Sequence, residues 1–178
     1  NARFDIHDNI VRDVYFHAIG SQASNVRVAH NLFDHAAPFT TLTGDNVTTL
    51  GLTLGGYDLE YNTWIGGAAV SVEVSEAVPA SGFMKFRNNL VVDGDPFYDA
   101  ENGMVRLDPY GSDADYRMLI TPQNLAFDEN VYFNPTTSPR WSVFAANGGE
   151  RGVLGDSLDF DGWQALGSSW PAGLDRHS

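Results

Sequence analysis

Cysteine is absent from the 178 residues, and lysine occurs once, at Lys85. The first absence excludes disulfides, thiol nucleophiles and cysteine-ligated zinc, and leaves the redox compartment open. The second belongs to a wider deficit of positive charge: ten basic residues stand against 23 acidic ones, for a net charge of −13. Phosphate backbones and anionic membrane surfaces need a basic face, so a general nucleic-acid partner is excluded. No apolar run reaches the roughly 18 residues of a membrane-spanning helix. The sequence also lacks G-x-S-x-G, H-E-x-x-H and phosphate-loop motifs. Neither methionine nor a signal-peptide pattern opens the chain, so a mature or excised segment is expected. What is present is a 43% apolar content, sufficient for a buried core.

A repeat organises that apolar content. Five segments share an apolar–any–apolar triplet, two further residues, an asparagine and two apolar or β-favouring residues: FDIHDNIV from Phe4, VRVAHNLF from Val26, YDLEYNTW from Tyr57, MKFRNNLV from Met84 and LAFDENVY from Leu125. The columns flanking Asn9, Asn31, Asn62, Asn89 and Asn130 agree: Phe4, Val26, Tyr57, Met84 and Leu125 five before, and Val11, Phe33, Trp64, Val91 and Tyr132 two after. Period-2 alternation with β-branched and aromatic residues reads as strand. A strand, an asparagine corner, a second strand and a variable loop stack on copies of themselves with uneven spacing, since insertions leave as loops. Asparagine tolerates the left-handed conformation a tight corner needs, and its amide can ladder with the amides above and below. A third strand is expected at Phe39–Thr43, Ala69–Val74, Met104–Asp108 and Trp141–Ala145, with room only for Ala18–Ile19 in the first repeat.

These features predict an all-β fold, a right-handed parallel β-helix of about five coils with an asparagine ladder over 1–155. A short helix and extension over 156–178 pack on it. Phe160, Trp163 and Leu166 share one helical face, with Asp156 or Ser157 as cap and Trp163 in the core.

The five asparagine-cornered rungs resemble the right-handed parallel β-helix superfamily of pectate-lyase-like and related carbohydrate-active proteins. The stretch Asp159–Gly167 followed by Asp175-Arg176-His177-Ser178 looks like a segment near the end of many large bacterial β-helix proteins. It departs from their pattern by inserting Ser168–Leu174. The resemblance implies a secreted, cell-surface or periplasmic bacterial protein acting on a polysaccharide, with the substrate groove along the third sheet. It also implies that the chain is continuous with, or packed against, further coils of a longer protein.

On the third strand, Glu73 and Asp108 lie on successive coils. Side chains on adjacent rungs are about 4.8 Å apart, close to the roughly 5–5.5 Å between the two carboxyls of a retaining glycosidase. Glu73 and Asp108 are therefore the candidate catalytic pair, with Arg106 orienting substrate and Tyr110 a candidate substrate-binding residue. The bland alternative is a pair of exposed acids. Lys85 and Arg87 are candidate substrate cations able to neutralise a uronate carboxylate, against a reading as a solvated ion-pair ladder. Asp93, Asp95, Asp99 and Glu101 cluster in an oxygen-rich loop that suits calcium as a cofactor, though without EF-hand spacing. The leading functional expectation is a glycoside hydrolase. The alternatives are a polysaccharide lyase acting by β-elimination and a non-catalytic glycan-binding or surface module.

Overall fold

A computed structural model describes residues 3–14, 19–21, 23–36, 39–42, 55–66, 69–74, 81–92, 105–109, 119–134, 141–147, 150–153 and 158–178. Each repeat folds as the period-2 pattern dictates. The strands before the asparagines are β1 (Phe4–His7), β4 (Val26–Ala29), β7 (Tyr57–Glu60), β10 (Met84–Arg87) and β13 (Leu125–Asp128). Those after them are β2 (Ile10–Val14), β5 (Leu32–Ala36), β8 (Thr63–Ile65), β11 (Leu90–Val92) and β14 (Val131–Phe133). The expected third strands are β3 (Ile19–Ser21), β6 (Phe39–Leu42), β9 (Val70–Val74), β12 (Val105–Pro109) and β15 (Trp141–Asn147), followed by β16 (Glu150–Val153).

Every third strand joins the same sheet. The orders are β1-β4-β7-β10-β13, β14-β11-β8-β5-β2 and β16-β15-β12-β9-β6-β3. All pairings are parallel except the β15–β16 hairpin. The register reproduces the sequence columns: Phe4 pairs with Val26, Met84 with Tyr57 and with Leu125, and Phe33 with Trp64. Among the described residues the architecture is thus parallel β-solenoid-like, mostly parallel strands with one named short helix near the C-terminus. No helix among the described residues is long and apolar enough to cross a membrane.

The inward columns form the core. Phe33 stacks on Trp64 at 4.8 Å and 12°, Trp64 packs on Phe86 at 5.6 Å, and Phe86 packs on Phe127 at 5.1 Å. All four rings are buried. Burying each such side chain is worth about 1.5–3 kcal/mol, with a further contribution from ring geometry. Tyr57 and Trp141 are also fully buried and belong to this core.

The asparagines form the expected ladder but do not occupy the left-handed corner. Each amide ladders with the next: Asn31 Nδ2 donates to Asn62 Oδ1 at 3.0 Å, Asn62 to Asn89 at 3.2 Å and Asn89 to Asn130 at 3.1 Å. The other Nδ2 hydrogen bonds back to the preceding rung, on Ile6 O, Val28 O and Leu59 O. Each Oδ1 also accepts the preceding asparagine's backbone N–H at 2.9–3.0 Å. Two donors and two acceptors are satisfied per interior amide, as burial demands. The left-handed corner, however, sits one residue earlier. Asp8, His30, Tyr61, Asn88 and Glu129 carry φ between 56° and 58°. These residues put their side chains at least partly in solvent, whereas the ladder needs the asparagine side chain turned inward. For non-glycine residues the conformation costs about 1–2 kcal/mol each, which the saturated ladder offsets.

At the C-terminal end, Trp141 and Leu158 exchange backbone hydrogen bonds of 2.9 and 2.7 Å. That bridge holds position 158 extended, so the helix α1 (Phe160–Leu166) starts only after it. Its N-cap is Asp159, whose Oδ1 accepts from Gly162 N at 2.9 Å. Asp156 and Ser157, the expected caps, lie upstream of the bridge and outside the described residues. Trp163 is buried as expected, edge-on to Phe127 at 5.5 Å and stacked on Trp141 at 6.0 Å. The C-cap Gly167 lies against Leu174, and a Cβ there would overlap Leu174 Cβ and stand 2.9 Å from its backbone nitrogen. Gly167→Ala is expected to lose about 2 kcal/mol by overpacking, read as a lower midpoint in urea with an unchanged m-value.

Candidate functional site

The third sheet carries the candidate catalytic pair. In the β9–β12 register Asp108 stands directly opposite Glu73, and Arg106 opposite Ser71. Val70 and Val105, one residue before Ser71 and Arg106, are buried. Strand alternation therefore places positions 71, 73, 106 and 108 on the sheet face opposite to theirs. The side chains of Glu73, Arg106 and Asp108 lie outside what is described, as do Tyr110 and the whole loop with Asp93, Asp95, Asp99 and Glu101. Among the described residues, no group of three His, Asp or Glu side chains is placed to hold a metal ion.

The charged column on the outer face of the first sheet is fully in view. Its register runs Asp5, Arg27, Asp58, Lys85, Ala126 and, two residues on, His7, Ala29, Glu60, Arg87, Asp128. Lys85 Nζ lies 3.4 Å from Asp58 Oδ1, and Arg87 donates to Glu60 at 2.8 Å. Asp58 also receives Arg3 at 2.8 Å, a partner that the repeat columns do not contain because Arg3 precedes the first rung. Arg3, Lys85 and Asp58 line a cavity of about 250 Å3 with Asn25, Gly56, Tyr57 and Gly82. Both candidate substrate cations are thus already matched by carboxylates. Asp58 is held between two cations, Arg3 and Lys85.

His7 bonds the neighbouring Asp8 and, as the chief cause, holds its carboxyl below the ordinary value. His35 bonds Asp34, while His30 stacks on Tyr61 at 5.3 Å, so these two histidines turn to different partners. His177 makes two 2.8 Å hydrogen bonds to Asp128, through its backbone N–H and Nδ1. Burial pulls the Asp128 carboxyl upward, but these bonds outweigh it and keep it below the ordinary range.

The most elaborate polar centre was not singled out from sequence. Asp175 is fully buried at the end of the ladder. Its Oδ1 accepts from Asn130 Nδ2 and Ser178 Oγ, both at 2.8 Å; its Oδ2 accepts from Tyr132 at 2.9 Å and Trp163 Nε1 at 2.7 Å. Burial raises the Asp175 pKa above the usual carboxylate value despite these four donors. Burial, with the adjacent Asp175 charge, pushes the Tyr132 phenol well above its own. A one-way chain of amides must finish on a pure acceptor, and a carboxylate is one. The signal was the Asp-x-His-Ser motif, but nothing in one sequence ties it to Asn130, 45 residues away. The centre is enclosed, so its chemistry is structural. Comparison with protein-family models, curated proteins and solved structures finds no match to this chain, and its function is argued from these residues.

Proposed function

We propose that the chain is a right-handed parallel β-helix of about five coils belonging to a carbohydrate-active protein, and that it hydrolyses glycosidic bonds in an extracellular polysaccharide. The observation that carries the reading is the pairing of Asp108 with Glu73 in the β9–β12 register. Neighbouring strands are about 4.8 Å apart, which suits two carboxyls acting as nucleophile and acid–base in a retaining mechanism. One carboxylate attacks the anomeric carbon while the other protonates the leaving oxygen; water, deprotonated by the second, then releases the sugar. Arg106, in register with Ser71 on the same face, orients the substrate. The pairing of Lys85 with Asp58 and of Arg87 with Glu60 favours hydrolysis over β-elimination, which needs a free cation beside a uronate. The acidic segment with Asp93, Asp95, Asp99 and Glu101 connects β11 to β12, so calcium bound there would brace the strand that carries Arg106 and Asp108.

Screening a polysaccharide panel for new reducing ends tests the proposal. Glu73→Gln and Asp108→Asn are each expected to lower turnover about a thousandfold with unchanged thermal midpoints. Full turnover in either variant rejects the pair. Saturable glycan binding without cleavage by the unmodified protein would assign it instead to a binding module.

A further inference from the structure

Two outward columns run side by side along the third sheet. Register sets Gly20 opposite Thr40, Thr40 opposite Ser71, Ser71 opposite Arg106 and Arg106 opposite Ser142. Val70, Val105 and Trp141, the residues just before Ser71, Arg106 and Ser142, are buried, so strand alternation places this column on the outward face. Two residues further along each strand, Leu42 stands opposite Glu73 and Glu73 opposite Asp108. The acids thus have a parallel neighbour column in which Thr40, Ser71 and Ser142 are hydroxyl residues.

The other two sheets carry nothing comparable among the described residues. On the first, the outward columns hold Asp58 with Lys85 and Glu60 with Arg87 in ion pairs. On the second, the outward positions of β8, β11 and β14 are Thr63, Ile65, Leu90, Val92, Val131 and Phe133, apolar but for one threonine. A serine or threonine hydroxyl both donates and accepts, which matches the hydroxyls of a sugar whichever way they turn. Direction follows from length. The two outward columns lie two residues apart, so a polymer parallel to the strands would leave them within about 7 Å. A polymer laid across the strands follows the hydroxyls from Thr40 to Ser142 over three rung spacings, about 14 Å.

Charge selects the polymer. Among the described residues Arg106 is the one cation of these two columns, set against Glu73 and Asp108, in a chain of net charge −13. A polyanion is therefore repelled. A polycation would hold both carboxyls ionised, and one of them must carry a proton to release the leaving oxygen. We infer that Thr40, Ser71 and Ser142 form the binding track for an uncharged polysaccharide laid across the strands of the third sheet. The track rests on the hydrolytic reading of Glu73 and Asp108 and gives that site its substrate class.

The probes are cellohexaose, mannohexaose and xylohexaose as neutral glycans, hexagalacturonate as the acidic one and a chitosan hexamer as the basic one. Each is titrated calorimetrically into the whole Glu73→Gln protein, which is expected to hold glycan without cleaving it. Saturable binding is expected for at least one neutral probe and for neither charged one. Thr40→Val and Ser142→Ala are each expected to weaken it about fivefold. Their effects should multiply, because the two residues stand about 14 Å apart. Thr63→Val, on the outward face of the second sheet, should change nothing. In the cleaving protein Thr40→Val and Ser142→Ala raise KM and leave kcat alone, the mark of a binding role. Binding of the charged probes alone, or of no probe, overturns the substrate class. Affinity indifferent to Thr40→Val and Ser142→Ala overturns the track, whereas full turnover in Glu73→Gln rejects the catalytic pair and leaves the binding result to stand or fall separately.

Discussion

Asp175→Asn is expected to destabilise the protein by about 3 kcal/mol, since each buried donor left without an acceptor costs about 1–3 kcal/mol. The substitution is nearly isosteric, so the loss isolates hydrogen-bond polarity. An amide in place of the carboxylate sets its NH2 either against Asn130 Nδ2 or against Trp163 Nε1, and both are donors only. Neither rotamer avoids a donor–donor clash. The pH dependence has a definite sign. Burial raises the Asp175 pKa above its ordinary 3.8, so its contribution to stability is fully present below that value and lost as pH rises through the raised one. The stability gap between the native protein and Asp175→Asn should therefore widen as pH falls from neutrality toward 3.8. Asp128 behaves oppositely: its lowered pKa gives stability that is present above 3.8 and lost only as pH falls through the depressed value. Urea unfolding of the native protein, Asp175→Asn and Asp128→Asn at several pH values separates the two. A gap for Asp175→Asn that narrows on acidification would show that the charged form is the one the site favours.

Asn62→Ala is expected to lose about 4 kcal/mol, because several buried groups lose partners together. Asn31 N and Nδ2 lose their shared acceptor, and Val28 O and Asn89 Oδ1 each lose a donor. Asn62→Asp sharpens the test. An aspartate still accepts from Asn31, but its second oxygen faces Val28 O and Asn89 Oδ1, both acceptors. It should be at least as damaging as alanine, although the same carboxylate is required at the end of the same ladder. The interior needs a group that donates onward, and the terminus needs one that does not. Urea midpoints for the pair measure this, and a native-like Asn62→Asp would sink the directional ladder.

How much of this was legible in one sequence depended on whether the information was local or repeated. The strand columns were visible because five copies state the same alternation, so register followed from aligning them. The aromatic core was visible because Phe33, Trp64, Phe86 and Phe127 sit at inward positions of that alternation. The helix was legible from Phe160, Trp163 and Leu166, but not its start, since the bridge from Leu158 to Trp141 joins residues distant in sequence. The left-handed corner was misplaced by one residue because asparagine's tolerance of that conformation was weighed without its buried amide. Asp8, His30, Tyr61, Asn88 and Glu129 share no chemistry that would have marked the column. The opposition of Glu73 and Asp108 was anticipated as neighbouring coils, and the backbone register makes it a direct pairing.

The repeat pattern and the acidic balance determined by themselves that this is a protein of parallel strands with buried asparagines and a large negative net charge. These are properties of composition and of period-2 patterning, and both are written along the chain. Only the tertiary structure decided that the ladder runs one way and that Asp175 and Ser178 close it. Hydrogen-bond direction depends on which group lies on which side in space, and the groups that settle it are separated by 22 to 48 residues of chain.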